Sequence, residues 1–454
     1  MNYTEAVDYI LQIPKFTSKN DLDETKSFLK ELGSPEKEFE VIHVAGTNGK
    51  GSVCFYLDTL LGQEGKSVGR FTSPHLERIN ERMMINGEEI GDEHFLEAFR
   101  QVLKVVEARV AEGTPHPTFF EFIFGMALLA FKEAKVETVV LETGLGGRLD
   151  ATNAVEHPIA TVITSIGYDH MKQLGNTLGQ IAYEKAGIIK EGVPLVFAST
   201  TEESDHVIKA RAKALHSPTL MVQSKDIQRV KMENNGIAFS IKRDYYGKGL
   251  WTLRNGGIYQ PYNALLALET MRILYGKKVT IEATEKDVLE TEAFSHIQLG
   301  EEQVKVWRQA LATLVWQGRM EEIRPGVILD GAHNLNAVTG FVESISHESS
   351  YKTIIFGAVA DKDVESMVRA LTGGLEEASV KMYIVTNVSD SRAIDSQKLK
   401  ELFTKYTSKP VMAIQEPAEA LDVAMKQQGK SKVYCLGSLY LIGEIRKLLL
   451  DKDI

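Results

Sequence analysis

The sequence predicts an α/β protein of two domains, each built on a largely parallel sheet. Three observations predict it. Short apolar runs that read as strands alternate with helical runs along most of the 454 residues. Most of the early strands end in a polar or glycine-rich segment, where open parallel sheets bind ligands. The alternation lapses before residue 314 and then resumes, which predicts domains over 1–313 and 314–454.

In the first domain, strands are expected near Val41–Ala45, Val68–Phe71, Val136–Glu142, Ile159–Ser165 and Pro194–Phe197. The run Val53 to Leu61 reads as a helix. Asn234 to Trp251 alternates, with a turn at Gly247, Lys248 and Gly249, and predicts a small antiparallel part. Gly257 to Asn263 leads into a helix over Ala264–Leu274. Glu285 to Val315 reads as helix, polar interruption and helix. In the second domain, strands are expected at Val327–Asp330, Thr353–Gly357, Met382–Thr386, Val411–Ile414 and Val433–Leu436, with a last helix over Leu439–Leu450. Five strands with four intervening helices make a small doubly wound, Rossmann-like domain.

Composition narrows the function. Hydrophobic residues are 43% and charged residues 25%, ordinary for a globular enzyme with sizeable cores. A net charge of −10 argues against nucleic acid as a main partner, while local anion sites remain open. Cys54 and Cys435 are the only cysteines, so no disulfide framework is expected, which fits the cytoplasm. The acidic start, Met1 to Asp8, is unlike a signal peptide. The longest strongly apolar stretch, Ile123 to Phe131, is too short to span a membrane.

The most informative segment is Gly46-Thr47-Asn48-Gly49-Lys50-Gly51-Ser52, between an apolar strand and a helix. Backbone N–H groups, a helix N-terminus and one lysine make a phosphate cradle, so the first domain reads as a P-loop-type ATPase fold. Ser52 is placed to offer a hydroxyl to Mg²⁺. The spacing departs from the commonest phosphate loop: two residues separate Gly46 from Gly49, and Gly51 falls between Lys50 and Ser52. The plain alternative is a tight glycine turn.

Other strand ends carry further chemistry. Glu142 ends a strand before Gly144, Gly146, Gly147 and Arg148, where a carboxylate would hold Mg²⁺ beside phosphates. Asp169 and His170 follow another strand. They could equally be an acid–imidazole pair in the site or surface loop residues, and neutral imidazole is a poor Mg²⁺ ligand. Lys185 lies between Ile181 and Ile189 at a spacing of four in a segment read as helical over Thr177–Lys190. Its head group either snorkels to solvent or enters the site. Asp330 ends a strand and could accept from a ribose or cap a helix. Arg319 could neutralise a phosphate or serve as a hinge ion pair.

These motifs, in order, resemble a known family. Besides those named, Thr72-Ser73-Pro74-His75-Leu76, Arg78-Ile79-Asn80-Glu81-Arg82, Asp150-Ala151-Thr152-Asn153, Glu184-Lys185-Ala186-Gly187, Gly318-Arg319 and Asp330-Gly331-Ala332-His333-Asn334 look like folylpolyglutamate synthase. That family includes a bifunctional dihydrofolate synthase form and belongs to the Mur ligase superfamily. The resemblance implies an ATP-dependent ligase that adds L-glutamate to tetrahydrofolate, or to dihydropteroate, through an acyl phosphate. By position, it implies that the loop from Gly46 to Ser52 holds the triphosphate. Ser73 and Glu142 would form a first Mg²⁺ site with Ser52 close by, and His170 would bind a second metal. Lys185 would be carbamylated and so turned into an anionic ligand. Asn263, Arg319, Asp330 and His333 would contact nucleotide, the last three from the closing second domain. The Phe119-Phe120-Glu121-Phe122 region resembles the family's pterin-binding region. Arg82 and Arg148 are candidates for substrate carboxylates, and a monomer is implied.

Two other readings stand beside it. A cell-wall Mur ligase would share the chemistry, but about forty residues before the loop are too few for its usual extra domain. A non-catalytic nucleotide-binding regulator would have no need to keep Lys50, Glu142, His170 and Lys185 together.

Overall fold

The computed structural model describes residues 1–14, 21–233, 236–277, 294 and 297–451. Strands β1 (Glu40–Ala45), β2 (Val68–Phe71), β3 (Met83–Ile85), β4 (Glu88–Glu89), β5 (Thr138–Glu142), β6 (Ala160–Ile163), β7 (Leu195–Ala198) and β8 (Thr219–Val222) form one sheet. Its order is β4-β3-β2-β5-β1-β6-β7-β8. β2 and β3, and β3 and β4, pair antiparallel, while β2, β5, β1, β6, β7 and β8 run parallel.

The central strands are apolar on both faces because both faces are covered. Along β5, Val139 and Leu141 pack towards Phe122 and Phe99, while Val140 points the other way, into the core of Leu57 and Leu60. The helix Lys50–Gln63 is apolar nearly all round for the same reason. It shares one core with the sheet and with Leu265, Leu268 and Met271 of the helix Gln260–Lys277.

The small antiparallel part is β9 (Ile227–Glu233), β10 (Gly236–Ile241) and β11 (Trp251–Leu253), in the order β11-β10-β9. It begins earlier than expected, because β9 is mostly exposed and shows little apolar alternation. Of the two helices expected between Glu285 and Val315, the stretch 285–293 lies outside the described residues. The second is the helix Glu301–Thr313.

The second sheet comprises β12 (Glu321–Arg324), β13 (Val327–Leu329), β14 (Lys352–Phe356), β15 (Val380–Val385), β16 (Val411–Ala413) and β17 (Lys432–Leu436), in the order β12-β13-β17-β14-β15-β16. All five expected strands are present and mutually parallel. β12 is an addition, paired antiparallel at the edge. Three of its four residues are polar, and the buried Glu321 is matched by Arg446 rather than by apolar packing. Among the described residues, no helix is long and apolar enough to cross a membrane.

Candidate active site

A cavity of about 900 Å³ lies at the carboxyl ends of β1, β5 and β6 and is closed on its far side by the second sheet's domain. The loop after β1 enters it through two glycine-dependent positions. A Cβ on Gly46 would lie 1.8 Å from Thr164 Oγ1. Gly49 has φ +90°, and its Cβ would lie 2.3 Å from Asn263 Oδ1. The hydroxyls of Thr164 and Ser165 donate to the Asn48 carbonyl at 2.7 and 3.1 Å, and Thr47 N–H donates to the Ser165 carbonyl at 2.9 Å. Gly49 caps the helix that starts at Lys50, so the first-turn N–H groups, Ser52 included, have no intrahelical acceptor.

Glu142 ends β5 against this loop. Its Oε2 accepts the Ser73 N–H at 3.0 Å, and its Oε1 lies 3.9 Å from Lys50 Nζ. Burial pushes its carboxyl up, against the pull of Lys50 and the Ser73 N–H. Lys185 does not snorkel. It is 4% exposed and donates from Nζ to the Gly46 carbonyl at 2.7 Å. Burial, helped by the nearby Lys50, pushes it down to about 7. The helix that carries it is Leu178–Ala186, shorter than expected, so Ile189 lies beyond its end.

His170 and His333 reach the cavity from opposite domains. Burial, reinforced by Lys362, lowers each to about 4, so both are neutral at pH 7. Between them lies Asp169, whose Oδ1 accepts from Lys362 Nζ at 2.7 Å. Burial would raise that carboxyl, yet the Lys362 ammonium and the two imidazoles hold it well below the usual carboxylate range.

Asp330 is not a helix cap; Asn334 caps the next helix. The Asp330 carboxylate accepts from the Tyr259 hydroxyl at 2.6 Å and from the N–H groups of Met320 and Ala332, each at 2.9 Å. Arg319 sits beside Gly331, on a segment that Asn255 brackets by accepting the Trp316 N–H at 2.7 Å. Trp316 also stacks on Phe55 of the helix Lys50–Gln63, with ring centres 4.5 Å apart. Arg82 is buried, donates to His75 Nδ1 at 2.8 Å and lies over the Phe119 ring. Burial lowers it to about 10.

The structure therefore brings Gly46 to Ser52, Ser73, Arg82, Glu142, His170, Lys185, Asn263, Arg319, Asp330 and His333 to one cavity, with Phe119, Phe120 and Glu121 on its wall. It does not bring Arg148 there. That side chain is 43% exposed, paired with Glu184 at 2.9 Å and lying over the Tyr183 ring. Sequence reasoning missed Tyr259 and Lys362. Lys362 lies in the loop after β14, and nothing within that segment pairs it with Asp169, 193 positions away.

Residues 44–271 match the Mur ligase middle domain, and residues 318–439 match the glutamate ligase domain of Mur ligases. The chain is 34% identical to the dihydrofolate synthase/folylpolyglutamate synthase of Bacillus subtilis (strain 168), over 98% of this chain and 99% of that one. The chain belongs to the folylpolyglutamate synthase family of Mur ligases. Solved members share its fold. Mycobacterium tuberculosis folylpolyglutamate synthase, complexed with ADP and AMPPCP, superposes with a TM-score of 0.83 at 26% identity, over 98% of both chains. A complex of FPGS with AMPPCP and folate superposes with a TM-score of 0.80 at 29% identity, over 99% of this chain and 100% of that one.

The donor set fits a magnesium ion held jointly with phosphate. Among the described residues, no group of three or more His, Cys, Asp and Glu is arranged to hold a metal by itself. A single buried carboxylate beside a phosphate loop is what Mg²⁺ takes when phosphate oxygens and water complete its shell.

Proposed function

We propose that this chain is an ATP-dependent ligase that joins L-glutamate to the γ-carboxylate of tetrahydrofolate. The observation that carries the reading is the convergence of the phosphate loop, Glu142, His170 and Lys185 from one domain with Arg319, Asp330 and His333 from the other on one cavity. A carboxylate is a poor acyl donor until it is phosphorylated. A folate carboxylate oxygen attacks the γ-phosphorus, the bond to ADP breaks, and an acyl phosphate forms. The amine of L-glutamate, having lost a proton, then attacks the acyl carbon. Phosphate leaves with one of the original carboxylate oxygens.

The chain's own groups supply position and charge. Loop N–H groups and Lys50 hold the β- and γ-phosphates, and Arg319 neutralises phosphate from the far side. Asn263 and Asp330 locate the nucleoside, with Tyr259 holding Asp330 in place. Arg82, a buried cation against Phe119, meets a substrate carboxylate. Enclosure between the domains keeps water from the acyl phosphate. Glu142 and Ser73 would hold a Mg²⁺ ion, with Ser52 beside it and His170 at a second metal. The ion would supply neutralisation of the phosphoryl oxygens. Lys185, partly neutral near pH 7, is suited to react with carbon dioxide, and its carbamate would add an anion to that site.

We place the domain boundary near residue 314, between the helix Glu301–Thr313 and β12. One chain supplies both walls of the cavity, so the catalytic unit is taken as a monomer. The test is phosphate release from the purified protein with ATP, Mg²⁺ and L-glutamate, comparing tetrahydrofolate with dihydropteroate. Release with tetrahydrofolate alone marks a dedicated polyglutamate synthase. Release with both adds dihydrofolate synthase activity, as in the name of the Bacillus relative. Release with neither overturns the reading.

A further inference from the structure

We propose that Lys362 is a positioning residue that holds the C-terminal domain closed over the phosphate loop by acting through Asp169. The proposal rests on the ligase reading of the cavity and adds a residue that does not line it.

Lys362 stands in the C-terminal domain, 193 positions from Asp169 in sequence, and its Nζ donates to Asp169 Oδ1 at 2.7 Å. Both side chains are only 10% exposed. The other carboxylate oxygen of Asp169 accepts from Asn334 Nδ2 at 3.3 Å. Asn334 also forms a reciprocal amide pair with Asn48 of the phosphate loop. Asn48 Nδ2 donates to Asn334 Oδ1 at 3.2 Å, and Asn334 Nδ2 donates to Asn48 Oδ1 at 2.9 Å. A continuous set of polar contacts thus runs from Lys362 through Asp169 and Asn334 to the loop that cradles phosphate, and it crosses between the domains at each step.

Opening the domains would separate the ammonium from the carboxylate and break the amide pair. A buried pair of this kind contributes little net stability, because its attraction offsets desolvation. Removing one partner, however, leaves the other charge in a poorly solvated place. With Lys362 gone, Asp169, which lines the cavity but is only 10% exposed there, gains fuller hydration when the domains open. The effect therefore falls on the closed–open balance and on the binding of nucleotide to the closed form.

The test uses the full chain with Lys362→Met and Lys362→Arg. Small-angle X-ray scattering is recorded without nucleotide and with saturating AMPPCP, beside steady-state kinetics. The expected result is a larger radius of gyration for nucleotide-free Lys362→Met than for wild type, with the difference removed by AMPPCP. KM for ATP is expected to rise about tenfold while kcat falls less, and Lys362→Arg recovers both. A purely local structural role would lower the melting temperature without changing the radius. An unchanged radius in nucleotide-free Lys362→Met overturns the proposal, whatever the kinetics. If that variant does not fold, Asp169→Asn removes the same ion pair and is read by the same scattering comparison. Scattering needs no turnover, so failure of the ligase reading shows separately, as absent phosphate release by the wild type.

Discussion

Lys185 offers a pH-dependent test of how the site is built. Unfolded, its ammonium has the ordinary value of 10.5; buried under the phosphate loop it drops to about 7. Between those values the unfolded chain holds one more proton than the folded one. Stability therefore rises with pH across that window, by about 1.4 kcal/mol per pH unit. From pH 7, where the folded lysine is half protonated, to pH 9 the gain is about 2 kcal/mol, and below pH 7 the penalty levels off at its largest. Lys185→Met keeps a side chain of similar length and removes the titrating group. It also loses the hydrogen bond to Gly46, worth about 1 kcal/mol at every pH, so it shifts the curve without tilting it. Urea unfolding of both proteins in bicarbonate-free buffer from pH 6 to pH 9 makes the comparison. The wild type should gain on Lys185→Met only above pH 7. Parallel curves would refute the inference that this lysine is buried as a reluctant cation. In turnover, Lys185→Ala should be inactive and be partly rescued by short carboxylates. Full activity without rescue would remove the carbamate from the mechanism.

Glu142→Ala should abolish Mg²⁺-dependent turnover with an unchanged circular dichroism spectrum, and normal turnover would mean that the metal site lies elsewhere. Gly49→Ala places a methyl group at φ +90°, 2.3 Å from Asn263 Oδ1. Backbone strain of about 1–2 kcal/mol and displacement of Asn263 should together raise KM for ATP at least tenfold, or ~1.4 kcal/mol, as read by initial rates against ATP concentration. Arg148→Ala should leave kcat/KM within about twofold and cost at most about 1 kcal/mol of stability, because its ion pair with Glu184 is solvent-screened. A large rise in the KM for folate or glutamate would put Arg148 back at the substrate.

The parallel strands were legible because burial on both faces writes them as continuous apolar runs. Val139, Val140 and Leu141 are all buried, in two different cores. β12 was not legible, because an edge strand of Glu321, Glu322, Ile323 and Arg324 is held by backbone pairing and by Arg446, and neither leaves an apolar signature. The glycine-rich loop and Glu142 could be singled out and placed at one cavity, because a glycine-rich turn or an acid at a strand end is local information. Lys185 could be seen as odd, but its entry into the site depends on Gly46, which lies 139 positions away. Arg148 has the right charge and the right neighbours in sequence, yet it turns outward because Glu184 and Tyr183 meet it there. Tyr259 and Lys362 act across the domain interface, and no spacing within one segment encodes that.

The central claim is that the folate carboxylate is activated by phosphorylation inside this cavity. Tetrahydrofolate labelled with ¹⁸O in its γ-carboxylate, incubated with ATP, Mg²⁺, L-glutamate and the wild-type protein, tests it directly by mass spectrometry of the released phosphate. One ¹⁸O atom should appear in phosphate for each amide bond formed. Amide formation with unlabelled phosphate would contradict the acyl-phosphate route.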